Sequence, residues 1–238
     1  MSTRLVAFAT TRVALIVTGF VALTLFPAHP VESWMGLSFP SQPWIDGWVR
    51  WDSFWYESII DPAQTLVPAG MSNANFFPFY SWVSWVASLP FRAVAGTEHA
   101  FYFGALIVSS ASFLLGLVAV ERFARSVAGE DVARRTIWLM AVFPFSFFFT
   151  AVYSDALYFC LCAWSITLAV ERKWYIACAG GLFGMLASML VMGVREPRPL
   201  LGTAFGVAVC CYLMFIALLD TNFPHGPIEK MLAPLFGG

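Results

Sequence analysis

Charge is scarce in this chain. Only 11% of its 238 residues are Asp, Glu, Lys or Arg, and they sum to a net charge of −1. A soluble domain carries about 25%. So few charges cannot coat a globule of this size, which excludes an ordinary water-soluble domain. The small net charge also argues against a nucleic-acid partner, which would favour a basic patch. Cysteine occurs five times (Cys160, Cys162, Cys178, Cys210 and Cys211), always inside apolar runs and without the paired spacing of a metal site. These cysteines read as packing residues, and no metal is expected. The chain contains no nucleotide-binding glycine loop and no visible internal repeat.

What the chain has in excess is apolar surface. Its residues are 60% hydrophobic and its mean hydropathy is +0.76. That composition fits an integral membrane protein, an all-α polytopic bundle of transmembrane helices. About 20 helical residues cross a hydrocarbon core of roughly 30 Å. The first candidate is Leu5–Phe26, interrupted by Arg12, which must snorkel toward one interface for the run to cross. A cleaved signal peptide is the competing reading, but "LTLFPAHP" lacks a small-x-small cleavage site, so an uncleaved anchor is expected. A second span is expected over about Ala100–Val120. The apolar stretch Thr136–Val170 is too long for one span and reads as a helical hairpin turning near Ser154. Two further spans, about Trp174–Val194 and Leu200–Leu219, bring the count to about six, in a single domain over 1–220 followed by a tail over 221–238.

Orientation follows from four arginines (Arg122, Arg125, Arg134 and Arg135) in the short loop "ERFARSVAGEDVARR". Cytoplasmic loops collect such residues. The proline- and tryptophan-rich segment 27–98 then faces the other side, as does the "YSD" turn at Tyr153–Asp155. Interfacial amphipathic helices are expected in that outer loop.

Within it, "DGWVRWDSFWYESI" (Asp46–Ile59) reads as one surface helix opened by Asp46 as N-cap. Trp48, Trp51, Asp52, Trp55, Tyr56 and Ile59 fall on one face at helical spacing. A carboxylate on such an aromatic face loses hydration and needs a partner or a task. Asp52 is either an ion-pair member, with Arg50 or Arg92, or a general base facing a cleft. Downstream, "NANFFPFY" (Asn73–Tyr80) places Phe77 and Pro78 in an aromatic wedge. The wedge either anchors at the interface or lines a groove for an isoprenoid chain. Asp155 either caps the following span or orients groups around Asp52.

"RWDSFWYESI", "FFPFY" and "ARRTIWLMAVFPFSFFFTAVYSDALYF" (Ala133–Phe159), in that order and spacing, resemble the signatures of the PIG-V family of GPI mannosyltransferases and their prokaryotic relatives. Asp155 stands where that family usually has glutamate. The resemblance covers about Thr11 to Leu186. It implies a GT-C-type glycosyltransferase, a hexosyltransferase and specifically a mannosyltransferase. Such an enzyme would take sugar from a polyprenyl- or dolichyl-phosphate donor to an acceptor hydroxyl on the non-cytoplasmic side. The aspartate of the W-D motif, here Asp52, is then the catalytic residue. Trp51, Tyr56, Phe77, Pro78, Tyr153 and Asp155 would support it or bind donor and acceptor. No cofactor is implied beyond the lipid-linked donor, and the partners are the bilayer, that donor and a glycan or glycolipid acceptor. The expected location is the plasma membrane in a prokaryote, or the endoplasmic reticulum membrane in a eukaryote.

Departures from the pattern support a second class of function. "WYESI" continues as "IDPAQTL" where the family has a Gly-Tyr pair, and the family's further carboxy-terminal spans have no counterpart. The alternative is a truncated, non-catalytic membrane scaffold or assembly subunit with a membrane-protein partner. A solute transporter fits less well, because the acids gather at one interface instead of mid-membrane.

Overall fold

The computed structural model describes residues 2–26, 43–60, 76, 78–173, 176 and 202. The chain divides into two compact units, Met1–Val191 and Met192–Gly238. Apart from residue 202, every described residue belongs to the first unit. Its described residues are helical, with no strand among them. The elements are α1 (Thr3–Leu25), α2 (Pro43–Asp46, a single turn), α3 (Ser53–Ile60), α4 (Pro78–Ser88), α5 (Arg92–Ala128), α6 (Glu130–Val142) and α7 (Asp155–Val170). The expected spans Trp174–Val194 and Leu200–Leu219 and the tail lie outside the described residues.

Among the described residues, two helices are long and apolar enough to cross a membrane: α1, and the part of α5 from His99 to Ala128. α7 is apolar but shorter. α5 is the central post, packing against α4, α6 and α7. Its contact with α4 depends on small residues. Ser81, Ser84 and Ser88 are buried along one face of α4. A Cβ on Gly104 would come within 2.4 Å of the Ser84 carbonyl oxygen and 2.6 Å of the Ser88 nitrogen. Small side chains let two helix backbones approach this closely. On the other side, Phe113 and Leu117 of α5 pack with Ala7 of α1, Ile137 and Ala141 of α6, and Ala156 of α7.

The stretch Thr136–Val170 differs from the expected hairpin with a tight turn at Ser154. α6 ends at Val142, because the residue before Pro144 is disfavoured in helical conformation, and Phe143 is extended at φ −53°, ψ 130°. A 3-10 turn over Pro144–Phe147 and irregular backbone up to Ser154 then lead into α7. At thirteen residues, about 20 Å, α6 is shorter than a membrane crossing.

Arg12 explains how this irregular backbone is held. The guanidinium does not snorkel; the residue is 5% exposed. Its Nη1 donates to the Ser146 carbonyl at 2.8 Å and to Thr150 Oγ1 at 2.6 Å. Its Nη2 donates to Ser146 Oγ at 2.9 Å and to the Ala141 carbonyl at 3.2 Å. The group also lies 4.6 Å from the centre of the Phe113 ring. Backbone that leaves a helix must find donors for its freed carbonyls when water is excluded. Arg12 supplies them, and it sets a cation at the carbonyl end of α6, where the helix dipole favours one.

Candidate active site

The three motif segments come together. The expected continuous helix over Asp46–Ile59 is interrupted: α2 ends at Asp46, residues 47–52 form turns, and α3 begins at Ser53. Trp51 adopts the left-handed conformation, φ +51°, which breaks any helix there. The cause is tertiary. Carbonyls that a helix would use internally are claimed by the segment before α7. The Val152 N–H donates to the Trp48 carbonyl at 3.0 Å, and the Tyr153 hydroxyl donates to the Arg50 carbonyl at 3.1 Å. Ser53 Oγ donates to the Arg50 carbonyl at 2.9 Å and lies 3.2 Å from the Val152 carbonyl.

This break divides the expected aromatic face. Trp48, Trp55 and Tyr56 are buried, whereas Trp51 is 59% exposed and Asp52 beside it is exposed too. Asp52 therefore does not project from the buried aromatic side. It stands on the rim, immediately before α3, its carbonyl accepting from the Trp55 N–H at 3.0 Å. Asp46 is likewise no N-cap of a long helix. It is buried and forms an ion pair with Arg50, whose Nε also donates to the Asp46 carbonyl at 3.1 Å. Arg92 lies over the Trp85 ring, 5.2 Å from its centre. Neither arginine pairs with Asp52, so the ion-pair role considered for that residue is not found among the described residues.

Tyr56 is the hub. Its hydroxyl shares a 2.9 Å hydrogen bond with Ser154 Oγ, joining the first motif to the third. Its ring meets Phe76 edge-on at 5.3 Å and Tyr80 edge-on at 4.9 Å, joining both to the second motif. Phe76 also stacks on Trp55 at 5.4 Å. Pro78 is buried as the first residue of α4. Phe77 lies outside the described residues. Tyr80 is completely buried, its hydroxyl 2.8 Å from Ser109 Oγ and 3.2 Å from the Ala105 carbonyl of α5. Ser109 Oγ in turn reaches the Tyr153 carbonyl at 3.3 Å. A second link to α5 runs from the Tyr102 hydroxyl to the buried Glu57 carboxylate.

Asp155 is the first residue of α7 and is exposed; the residue preceding that helix is Ser154, which makes no side-chain cap. Asp155 is thus a first-turn acid favoured by the helix dipole, and not the N-cap itself. Its charge and that of Asp52 both act on Tyr56 and Tyr153. Burial raises the Tyr56 phenol above its ordinary value of 10.0, and the two carboxylates add to the shift. Burial pushes Tyr153 up to about 12, with Asp52 next in effect. Both phenols therefore remain protonated at physiological pH, and that of Tyr153 donates to the Arg50 carbonyl. The arrangement offers two exposed acids on the rim of a packed aromatic cluster, with the exposed Trp51 adjoining Asp52 in the chain.

Tyr80, Ser109 and the Glu57–Tyr102 contact have no role in the sequence reading. Tyr80 closes the "FFPFY" motif and could have been found there. Ser109 carries no local signal, because a serine inside an apolar run is as readily a helix-packing residue.

Comparison of the chain with protein-family models, with curated proteins and with solved structures finds no match. The likeness to the PIG-V family rests on the three motif segments alone.

Proposed function

We propose that the chain is a multi-pass membrane glycosyltransferase of the GT-C kind, a mannosyltransferase using a polyprenyl- or dolichyl-phosphate sugar donor on the non-cytoplasmic side. Asp52 is its general base. The observation that carries this reading is the Tyr56–Ser154 hydrogen bond of 2.9 Å, around which the W-D, F-F-P and Y-S-D segments assemble with two acids at the rim. Segments so far apart in the chain would have no reason to share a polar cluster if each merely anchored at the interface. The length of α5 is a second support. Tyr102, beside the cluster, and Arg125, in the arginine loop, are about 35 Å apart along its axis, close to a hydrocarbon thickness of roughly 30 Å. The exposed apolar faces of α1 (Val13, Ile16, Val17, Phe20) and α6 (Leu139, Val142) suit contact with lipid.

In the proposed reaction the acceptor oxygen attacks the anomeric carbon as the bond from that carbon to the lipid phosphate breaks. Asp52 takes the hydroxyl proton, and the lipid phosphate leaves with the electron pair. The configuration at carbon inverts. Exposed Trp51 offers a flat apolar face for the sugar ring. Tyr56 and Tyr153, as neutral phenols, hold the turn that presents Asp52.

The test is sugar transfer from a radiolabelled polyprenyl-phosphate donor by purified protein in lipid. Asp52→Asn keeps the shape but cannot accept a proton, so activity should fall about 10²–10⁴-fold with folding intact. Asp155→Glu should retain activity and Asp155→Ala should lose part of it. Wild-type transfer by the Asp52→Asn protein would remove the base assignment. A wild type inert with every donor would favour the scaffold alternative.

A further inference from the structure

We propose that the face of α6 bearing Arg134, Arg135, Trp138 and Leu139 binds the headgroup and upper acyl chain of an anionic phospholipid in the cytoplasmic leaflet. The inference rests on the membrane part of the reading above, and not on the glycosyl-transfer chemistry.

Three observations carry it. First, these four residues line a shallow cavity, open to the surface, along one face of α6. Second, the charge at this end of the bundle is unbalanced, and part of the surplus lies at the cavity. Among the described residues seven cations (Arg4, Arg122, Arg125, Arg134, Arg135, Arg172 and Lys173) face four carboxylates (Glu121, Glu130, Asp131 and Glu171). Arg4 and Arg125 pair with Glu121, Arg125 also with Glu130, and Arg122 and Lys173 with Glu171. Arg134 has only a 3.5 Å contact to exposed Asp131, and Arg135 makes no ion pair among the described residues. Third, the basic end continues into an apolar stripe. Arg135, Trp138, Leu139 and Val142 lie at i, i+3, i+4 and i+7, on one side of the helix. Leu139 is 73% and Val142 63% exposed. From Arg135 to Val142 the helix rises about 10 Å.

A cationic end, an indole at headgroup depth and an uncovered apolar stripe running away from both match an anionic amphiphile lying along the helix. A free phosphate would use the arginines and leave the stripe idle. A zwitterionic lipid would cover the stripe and leave the arginines uncompensated.

The experiment uses the full chain in nanodiscs of phosphatidylcholine with an equal share of phosphatidylglycerol, followed by native mass spectrometry of the lipids retained. The wild type should hold phosphatidylglycerol in preference to phosphatidylcholine. Each of Arg134→Gln and Arg135→Gln should cut that preference about fivefold, and the double variant roughly thirtyfold. Leu139→Gln should weaken retention of both lipids while keeping the preference. Arg172→Gln removes an unpaired cation outside the cavity and should change nothing. An unaltered preference in the double variant would overturn the site, as would an equal loss in Arg172→Gln, which signifies diffuse surface charge. Millimolar inorganic phosphate that displaces the lipid fully would replace the lipid site by a small-anion site. A wild type that retains a second copy of the chain in place of lipid would assign the face to self-association. A wild type that does not enter nanodiscs would remove the membrane reading, and with it this inference.

Discussion

At the end of the bundle carrying Glu121 and Glu171, side chains are tied by ion pairs. Arg4 and Arg125 reach the buried Glu121, and the more exposed Arg122 and Lys173 reach Glu171. At the end carrying Tyr56 and Tyr153, the ties are neutral hydrogen bonds and ring contacts, with Asp46–Arg50 as the ion pair among the described residues there. The difference is one of tolerance. Exposed ion pairs are worth roughly 0–1 kcal/mol each and can be exchanged at little cost. A buried polar group that loses its partner costs about 1–3 kcal/mol, so the end carrying Tyr56 has few acceptable substitutions. Such stringency befits a region that must hold a few groups in register.

Arg12 ties α1 to the irregular backbone between α6 and α7, and its removal should have the largest effect on stability. Arg12→Met leaves the Ser146 carbonyl and Thr150 Oγ1 without their donor, a loss of about 2–4 kcal/mol after the relief of burying no charge. Hydrogen exchange should show protection lost at Val152, whose N–H bonds to Trp48, while α5 beside Glu121 stays protected. Uniform loss along α5 would break the comparison, because the two ends would then form one cooperative unit.

Gly104→Ala comes next. The new methyl meets backbone atoms of Ser84 and Ser88, which cannot rotate away, so α4 must shift from α5 at a cost of about 1–3 kcal/mol. Thermal melting in detergent measures it, and an unchanged midpoint would contradict the close approach. Tyr56→Phe should cost only about 1 kcal/mol, since the ring contacts remain and one hydrogen bond goes. Replacing Ser154 by Ala in the same protein should add little, because the two changes share one interaction.

The smallest effect is on pH dependence. The phenols of Tyr56 and Tyr153 have folded values above 10.0, that of Tyr153 at about 12. Their contribution is fully present below pH 10 and is lost as pH rises toward 12, when the folded state must release protons that the unfolded chain has already given up. Near-ultraviolet difference spectra with hydrogen exchange, stepped through pH 9–12, should find the Val152–Ser154 region opening before the Glu121–Glu130 region. The reverse order would show that the phenols are not what holds that end.

What could be read from the chain followed from local chemistry. The run from Leu5 to Phe26 appears as α1, and the arginine loop falls at the junction of α5 and α6. The Asp46–Ile59 segment could not be read the same way. Its apolar spacing fits a helix well, but spacing reports only which residues would share a face if the helix formed. It cannot report that Val152 and Tyr153, a hundred residues later, take the Trp48 and Arg50 carbonyls. Similarly, the Pro144 break was legible as a proline in an apolar run, but not the irregular backbone that follows it. Irregular backbone inside an apolar environment is permitted only by a donor from elsewhere, and the donor is Arg12.

The sequence by itself determined the helical character, the long apolar runs and the charged and aromatic segments. Those depend on composition and on contacts within a few residues. Only the tertiary structure decided where helices stop, which acids remain at the surface and which tyrosines are buried. The reason is that each of those outcomes turns on a hydrogen bond between segments far apart in the chain, and a carbonyl claimed by one partner is no longer available to its own helix.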